Sequence, residues 1–336
     1  MEDSHVIERV YNKAKSNPQR IAFPEADDVK VLQAAAETAS GGYGHCWLLG
    51  NVEKLKDDCL ENDIDVAQFN LVDIGDEELR ARLLDRYFEV STGILGRNTL
   101  ARRMETPLYF AMVMQAVGDI DVTIGGLNAT TTDVIRAAIE VIGVKEDSTI
   151  SSIGVFQVPG FEGSEEDMVV MADCGVCPNP DAIELASIAI DTCDTVQGLF
   201  GWTPRCAILS FSTLGSASND LVDKVVQAVH LANERRPDLL IDGEFQVDTA
   251  IVPVVAAKKV KRESAVAGKA NILIFPDLNA GNIGGKLVQV FAKAIAVGPI
   301  LQGFNRIVTD SSRGASVSEL VRNIVISGVR AAALKE

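Results

Sequence analysis

The sequence predicts an α/β fold with mostly parallel sheets and helices on both sheet faces. Short apolar segments typical of buried strands alternate with longer segments of helical periodicity, and parallel strands require such crossovers. Hydrophobic residues make up 47% of the chain but aromatic residues only 5%, so Ala, Val, Ile and Leu must supply the core. A length of 336 residues favours two domains.

The first part of the chain carries clear local signals. Pro24 closes a short apolar strand, Asp28 suits the first turn of a helix, and Pro107 suits the start of another. The predicted elements are a helix within 1–15, a strand at 21–23, a helix at 25–41, a strand at 45–49, a helix near 52–57, a strand at 69–74, helices at 77–87 and 107–116, and a strand at 121–124. Ligands of parallel sheets gather at the carboxyl ends of strands, so the loops 23–28 and 125–136 are candidate binding loops.

The polar segment 144–149 lies between two apolar stretches and is the first predicted domain boundary. The elements predicted beyond it are paired strands at 150–158 and 168–173, a helix at 181–199, a strand at 206–210, a helix at 218–233, strands at 239–246 and 271–276, a helix at 280–295 and a strand at 298–301. A final helix follows, because apolar residues from Val317 to Val325 share one helical face.

The net charge of −16 argues against nucleic acid or an anionic membrane surface as a partner. Apolar segments are all much shorter than a membrane span, and the charged N-terminal segment is unlike a cleavable signal, so we expect a soluble cytoplasmic protein. An anionic ligand then needs a local cationic pocket. Lys258, Lys259, Lys261 and Arg262 form either a solvated loop or a patch that attracts a ligand phosphate.

The six cysteines lack the spacing of a disulfide domain, which fits reduced thiols in a cytoplasm. Cys174 and Cys177 form a single C-x-x-C pair that alone could serve as half of a zinc site or as a redox pair. There is no second pair nearby, and the three histidines are distant in sequence. We therefore predict no metal site.

The segment from Thr309 to Glu319 has the composition of a site for a small anion. Ser311, Ser312, Arg313 and Gly314 stand immediately before the last apolar helix. Backbone N–H groups, the guanidinium and the helix dipole could all point at one anion there. The segment thus predicts a phosphate site.

Several segments between residues 23 and 314 together form a more specific pattern. They are Phe23-Pro24-Glu25 with Asp28, Ala172-Asp173-Cys174, Ser210 to Ala217, Asp242 to Asp248, Val266 to Asn271, Phe275 to Ile283, Gly298-Pro299 with Gln302-Gly303, and Ser312-Arg313-Gly314. As a set they resemble the phosphate acetyl/butyryl transferase family, the phosphotransacetylases. The region 128–136 and the segment Ser316 to Glu319 are most similar to the ethanolamine-utilisation type, which leaves a bacterial microcompartment lumen as an alternative location.

The resemblance implies the reversible reaction of acetyl-CoA with phosphate to give acetyl phosphate and CoA. It implies a two-domain α/β fold similar to the isocitrate and isopropylmalate dehydrogenases, with the active-site cleft between domains and a homodimer as the assembly. CoA is then a substrate, and no tightly bound cofactor is expected. The last strand and helix return to the first domain in that fold, so the expected domains are 1–144 plus 297–336, and 145–296.

The resemblance also assigns roles to residues. The implied catalytic residues are Ser312, Arg313 and Glu319, and the implied substrate- or cofactor-binding residues are Thr130, Thr131, Thr132, Arg136, Asn279, Asn282 and Gly314. Glu319 is open to two interpretations, because the family's general base falls there but Ser316-x-x-Glu319 is also a capping box. The threonines alone would also fit a helix N-terminus.

Three positions depart from the family pattern. Ser91 stands where the family has an arginine that is expected to hold CoA, so CoA binding would be weakened unless Arg97 or Arg102 takes the place of that arginine. Thr309 stands where the family commonly has an asparagine. Gly285 replaces a tyrosine, which predicts a larger acyl pocket. Propionyl or butyryl transfer, or a catalytically silent CoA- or phosphate-binding dimer, are the alternatives. A nicotinamide dehydrogenase is disfavoured, because no strand is followed by G-x-G-x-x-G.

Overall fold

The computed structural model describes residues 5–91 and 94–335, so the first four residues of the predicted N-terminal helix lie outside the described residues. The chain divides into two compact units, Met1–Val144 with Phe304–Glu336, and Lys145–Gly303. The elements in chain order are α1 (His5–Ser16), β1 (Gln19–Phe23), α2 (Val29–Ser40), β2 (Gly44–Gly50), α3 (Val52–Glu61), β3 (Phe69–Asp73), α4 (Glu77–Val90), α5 (Arg97–Arg103), α6 (Pro107–Ala116), β4 (Val122–Gly125), α7 (Thr131–Val141), β5 (Ser151–Gln157), β6 (Met168–Ala172), α8 (Ala182–Phe200), β7 (Arg205–Leu209), α9 (Asp220–Arg235), β8 (Leu240–Phe245), α10 (Val247–Ile251), α11 (Pro253–Lys259), β9 (Ile272–Ile274), α12 (Leu278–Phe291), β10 (Ile295–Gln302), β11 (Ile307–Asp310) and α13 (Val317–Ala333).

The first unit contains a parallel sheet in the order β11-β4-β1-β2-β3. Two groups of helices cover it: α1, α2 and α13 pack together, and α6 packs on β4 beside α4 and α7. Ile21, Phe23 and Val122 have no exposed surface, as expected for strands that are buried on both faces. The α/β prediction is confirmed for this unit.

The second unit contains a mixed sheet in the order β10-β5-β6-β9-β7-β8. The β5–β6 pair is antiparallel, β10 runs antiparallel to β5, and the other three pairs are parallel. Helices α8 and α9 pack on each other and on this sheet. Mostly parallel sheets are thus present in both units, as predicted.

Two predicted boundaries need correction. The division between the units comes after Gly303 and not at 297, because β10 runs from Ile295 to Gln302 and pairs with β5 of the second unit. The strand that returns to the first unit is β11, where the apolar residues Ile307 and Val308 pair with β4. This strand ends inside the segment that composition indicates as a phosphate site.

Two further differences have local causes. Helix α2 begins at Val29 and not at 25, because Asp28 caps it and Glu25 lies in the preceding loop. Helix α7 begins within the predicted loop 125–136, where Thr130 accepts a hydrogen bond from the N–H of Asp133. The short helices α5, α10 and α11 were not predicted.

The basic patch is not simply a solvated loop. Lys259 ends α11 and pairs with Asp248 at 2.9 Å, and Arg262 pairs with Asp242. Throughout residues 5–91 and 94–335, helices that are both long and apolar enough to cross a membrane are absent.

Candidate active site

Three loops meet at the carboxyl edge of the first sheet. Strand β4 lies between β1 and β11, so the loops that follow these three parallel strands are neighbours. They are 24–28, 126–130 and 311–316. The structure therefore brings the two predicted binding loops and the predicted phosphate segment to one edge of the unit.

Glu25 holds the loop after β4 in place. Its Oε2 accepts a hydrogen bond from the N–H of Leu127 at 2.8 Å, and its Oε1 accepts one from the N–H of Ala129 at 2.7 Å. The side chain is buried, so both backbone donors would lack a partner without it. Glu25 connects residues that are about a hundred positions apart in sequence.

Asp310 is a second buried carboxylate at this edge. Its Oδ2 accepts a hydrogen bond of 2.6 Å from the hydroxyl of Thr131, while its Oδ1 and the neighbouring Ser311 Oγ have no hydrogen-bond partner among the described residues. Burial raises the pKa of Asp310 above the ordinary aspartate value; the Thr131 bond opposes this shift and the charge of Glu25 adds to it.

Gly126 allows this close arrangement. Its φ is +98°, a conformation that favours glycine, and a Cβ atom there would overlap Asp310 Oδ1 and lie 2.6 Å from the backbone nitrogen of Ser311. The backbone N–H of Ser311 also donates to the carbonyl of Gly125 at 2.8 Å. A side chain at position 126 would separate β4 from the phosphate segment.

Ser312 and Arg313 are both exposed at the same edge. The Arg313 guanidinium makes one long contact, 3.4 Å from Nη2 to the carbonyl of Asn128, and forms no ion pair with any residue the structure describes. Ser312 Oγ accepts a 3.4 Å hydrogen bond from the N–H of Gly314. A cation without a carboxylate partner, beside a hydroxyl, can receive a small anion.

Glu319 is the N3 residue of a capping box at the start of α13. Its Oε2 accepts hydrogen bonds from the Ser316 N–H at 2.7 Å and from the Ser316 hydroxyl at 2.8 Å, and Ser316 Oγ accepts one from the N–H of Glu319. The bonds from Ser316 lower the pKa of Glu319. A lowered pKa is the wrong direction for a general base, so the capping interpretation is the one that the geometry supports.

The predicted hydroxyl-rich loop forms the first turn of α7. Thr130 caps the helix and donates to Asp133 at 2.6 Å, and Arg136 lies 3.5 Å from the same carboxylate. Thr131 and Thr132 are exposed, as is Arg136. The role of Thr130 as the helix cap is explained by its hydrogen bond with Asp133. Of the three threonines, Thr131 alone contacts the buried Asp310.

Asn279 and Asn282 lie on α12 in the second unit. Asn282 Nδ2 donates to the carbonyl of Cys174 at 3.0 Å, while Asn279 is exposed. A Cβ atom on Gly281 would overlap the carbonyl oxygen of Asp173, so a residue without a side chain is required there. The predicted close backbone approach at Gly281 is present.

A pocket of about 270 Å³ opens beside Gly285 on the same helix. Phe156, Cys174, Asn282 and Lys286 contribute to its lining. The ring of Phe156 would lie 3.3 Å from a Cβ atom at position 285, so a large side chain there would fill part of the pocket. The glycine leaves this space open.

The C-x-x-C pair lacks the character of a metal or redox site. Burial raises the pKa of the Cys174 thiol to about 12 and that of Cys177 to about 11, which favours the thiol over the metal-binding thiolate. Within the described part of the chain, no group of three or more His, Cys, Asp or Glu residues could hold a metal ion.

The two arginines suggested as replacements for the family arginine at position 91 differ. Arg97 is already paired with Asp85 and lies over the ring of Phe88. Arg102 is exposed and has no ion pair among residues 5–91 and 94–335. Of these two arginines, Arg102 is therefore the one that lacks a carboxylate partner among the described residues.

Comparison with known proteins decides the family. The family model described as phosphate acetyl/butaryl transferase matches residues 5–328. The chain belongs to this family. A curated phosphate acetyltransferase of Thermoanaerobacterium thermosaccharolyticum is 40% identical over 97% of this chain and 99% of its own length.

Solved structures agree with the family at two levels. The EutD phosphotransacetylase of Staphylococcus aureus has a TM-score of 0.88 and 32% identity, covering 97% of this chain and 99% of its own. A 4-hydroxythreonine-4-phosphate dehydrogenase of Salmonella typhimurium, described as putative, has a TM-score of 0.51 at 13% identity, covering 94% of this chain and 99% of its own. The second likeness shows the fold alone, and it agrees with the predicted dehydrogenase-like architecture.

Sequence reasoning about this family member missed two roles at the site. Glu25 belongs to a matching motif and Asp310 to the predicted phosphate segment, but neither was assigned a function. Each is an acidic residue within two positions of the carboxyl end of a buried strand, and that placement was the available signal. Their partners are distant in sequence and could not be deduced from spacing.

Proposed function

We propose that this protein is a phosphate acetyltransferase, which converts acetyl-CoA and phosphate reversibly into acetyl phosphate and CoA. The observation that carries the proposal is the guanidinium of Arg313, which lies beside Ser312 at the carboxyl edge of the first sheet and forms no ion pair with any described residue. In a chain of net charge −16, a cation without a carboxylate partner is a suitable receptor for phosphate. Family membership supplies the reaction.

Five exposed residues at this edge have a part in the proposed reaction. Arg313 binds the phosphate group in a bidentate manner and neutralises charge as the acyl–oxygen bond breaks. The Ser312 hydroxyl donates to the oxyanion that develops on the acyl carbonyl. Thr132 and Arg136 bind polar groups of CoA or phosphate, and the backbone of Gly314 leaves room for the ligand.

Glu319 has no catalytic part in this proposal. Its carboxylate is engaged by Ser316, and its pKa is lowered by that engagement. We assign it to the cap that fixes the start of α13. This cap holds the segment that carries Ser312 and Arg313.

A longer acyl group is the second candidate substrate. The pocket beside Gly285 supports it, since a large side chain at that position would occupy the space. We propose that the acyl chain extends into this pocket. Propionyl- and butyryl-CoA are then substrates alongside acetyl-CoA.

We infer a homodimer that acts in the cytoplasm or in a microcompartment lumen. Support for the dimer comes from an apolar stripe on α12, defined by Ile283, Leu287, Val290 and Phe291, whose members are between 48% and 80% exposed. Their spacing places them on one side of the helix, where a second copy could cover them. CoA enters as a substrate and no tightly bound cofactor is invoked.

The function is tested by thiol release from acetyl-, propionyl- and butyryl-CoA, with and without inorganic phosphate. We expect phosphate-dependent release from acetyl-CoA. Gly285→Tyr should lower the ratio of the propionyl to the acetyl kcat/KM by about tenfold or more, because hydrophobic pockets discriminate one methylene by about 1–3 kcal/mol.

Gly285→Ala is the matched control, because its single methyl group needs only a small shift of Phe156. It should keep the wild-type ratio. An unchanged ratio in Gly285→Tyr would remove the longer acyl chain from the proposal. A folded wild-type protein that releases no CoA in the presence of phosphate would instead indicate the silent binding dimer.

A further inference from the structure

Glu25 is a buried carboxylate at the edge of the sheet that carries Arg313. Its Oε2 and Oε1 accept hydrogen bonds from the backbone N–H groups of Leu127 and Ala129, at 2.8 and 2.7 Å. Both oxygens are therefore engaged by the loop after β4. The exposed guanidinium of Arg313 contacts that loop and forms no ion pair with any residue the structure describes.

A single peptide unit connects Glu25 with Arg313. The N–H of Ala129 and the carbonyl of Asn128 belong to the same planar peptide, which is trans, so the two groups point in opposite directions. Because the N–H points at Glu25 Oε1, the carbonyl oxygen points away from Glu25, and it lies 3.4 Å from Arg313 Nη2. Glu25 thus fixes the direction of the carbonyl that contacts the guanidinium.

The hydrogen bond at Leu127 holds the other end of this short segment. Gly126, immediately before it, has the φ of +98° that favours glycine, and the chain turns there towards Glu25. If the peptide between residues 128 and 129 rotated, the N–H of Ala129 would leave Glu25 and a buried carboxylate oxygen would lose its donor. The two hydrogen bonds therefore keep that peptide in one orientation.

We propose that Glu25 is a positioning residue for phosphate, which acts by orienting the Arg313 guanidinium through the carbonyl of Asn128. The inference rests on the proposed function, in which Arg313 binds the phosphate group. A guanidinium has five N–H donors, so one neutral carbonyl can orient it and leave the other donors for the anion. A carboxylate in place of this carbonyl would instead compete with phosphate for the cation.

The first test measures initial rates of CoA release from acetyl-CoA by Glu25→Gln. The glutamine has the shape of glutamate, but it offers one acceptor oxygen and turns an NH2 group towards the second backbone N–H. We expect kcat/KM for phosphate to fall about tenfold, because the peptide that orients Arg313 is released. The KM for acetyl-CoA, measured at saturating phosphate, should stay within about twofold of wild type.

Asp76→Ala is the control for a general loss of stability in the first unit. Asp76 accepts a hydrogen bond from the N–H of Leu79 as the cap of α4, and its removal releases backbone donors without touching the loop after β4. Both kinetic constants should remain within about twofold of wild type in this variant. If Glu25→Gln impairs both substrates equally, Glu25 has only a structural role and the proposal is overturned.

A double-mutant cycle shows whether Glu25 acts through Arg313. In the Arg313→Ala background, Glu25→Gln should lower kcat/KM for phosphate by less than about threefold, since the group to be oriented is absent. The same tenfold loss in both backgrounds, or an unaffected Glu25→Gln enzyme, would overturn the positioning role.

Amide hydrogen exchange provides a measurement that needs no substitution at Glu25. Phosphate bound by Arg313 should slow exchange at Ala129 about fivefold or more in the wild-type protein and have no such effect in Arg313→Ala. Exchange that phosphate leaves unchanged in the wild type would overturn the positioning role, whether or not Glu25→Gln folds. A wild type without phosphate-dependent CoA release would overturn the proposed function as well, whereas the other contrary outcomes in an active enzyme overturn the positioning role alone.

Discussion

At the scale of single residues, the two acidic side chains near the start of α13 have opposite environments. Glu319 is exposed and accepts hydrogen bonds that favour its charged form, whereas Asp310 is buried beside Glu25. The pKa of the first is lowered and that of the second is raised. The cap thus holds Glu319 in its charged form, whereas burial favours the neutral form of Asp310.

Replacement of Glu319 tests this assignment. In Glu319→Gln the amide oxygen still accepts from Ser316, so the cap remains, and we expect kcat/KM and its pH profile to stay within about threefold of wild type. A general base at this position would cost about 100- to 10,000-fold, and a loss of that size would contradict the cap.

Glu319→Ala gives the complementary stability measurement. Loss of the cap partner should lower the free energy of unfolding by about 0.5–1 kcal/mol at neutral pH. Because the pKa of Glu319 is lowered in the folded state, this difference should be present above the unfolded value of about 4.3 and shrink as the pH falls through the folded pKa. Urea unfolding at several pH values measures it.

Residue identities at the site were predictable only where a local pattern encodes them. The Ser316–Glu319 box follows from a three-residue spacing, and the prediction of an anion site at Ser312 and Arg313 follows from their place before a helix. The hydrogen bond from the N–H of Ala129 to Glu25 and that from Thr131 to Asp310 depend on which strands are neighbours. Sequence spacing carries no such information.

At the scale of elements, the alternation of strands and helices was predictable because apolar residues are spaced differently in buried strands and in helices. The predicted boundary at 297 was wrong because β10 pairs antiparallel with β5 at the edge of the second sheet. A strand at that edge and a strand that returns to the first sheet have the same apolar composition. Helix α7 was partly placed in a loop, since threonine suits both a loop and a helix start. In both cases tertiary pairing decides the boundary.

Helix α12 provides a prediction at this scale. Its apolar stripe should be covered by a second copy in the proposed dimer, so Phe291→Asp, at a side chain that is 80% exposed, should yield folded monomers. Leu60→Asp on α3, which is 78% exposed, is the matched control and should leave the dimer intact. Sedimentation equilibrium distinguishes the two states, and a wild-type monomer or a dimeric Phe291→Asp would refute the assigned surface.

At the scale of the whole molecule, the net charge of −16 means that carboxylates outnumber cationic side chains. An arginine without a carboxylate partner is therefore a candidate site for an anionic ligand. Most described arginines have a carboxylate or an aromatic ring beside them, as Arg20 has Asp121 and Arg97 has Asp85. Arg306 and Arg313 stand at opposite ends of the β11 segment and form no ion pair with any described residue. They offer a matched pair for a test of the proposed phosphate site.

The most direct test of the central claim is the rate of phosphate-dependent CoA release from acetyl-CoA by Arg313→Ala, measured beside Arg306→Ala. We predict a loss of about 100- to 1,000-fold for Arg313→Ala, because a group that stabilises transition-state charge is removed, and a rate within about twofold of wild type for Arg306→Ala. A folded Arg313→Ala protein that keeps its rate within about threefold of wild type would contradict the account.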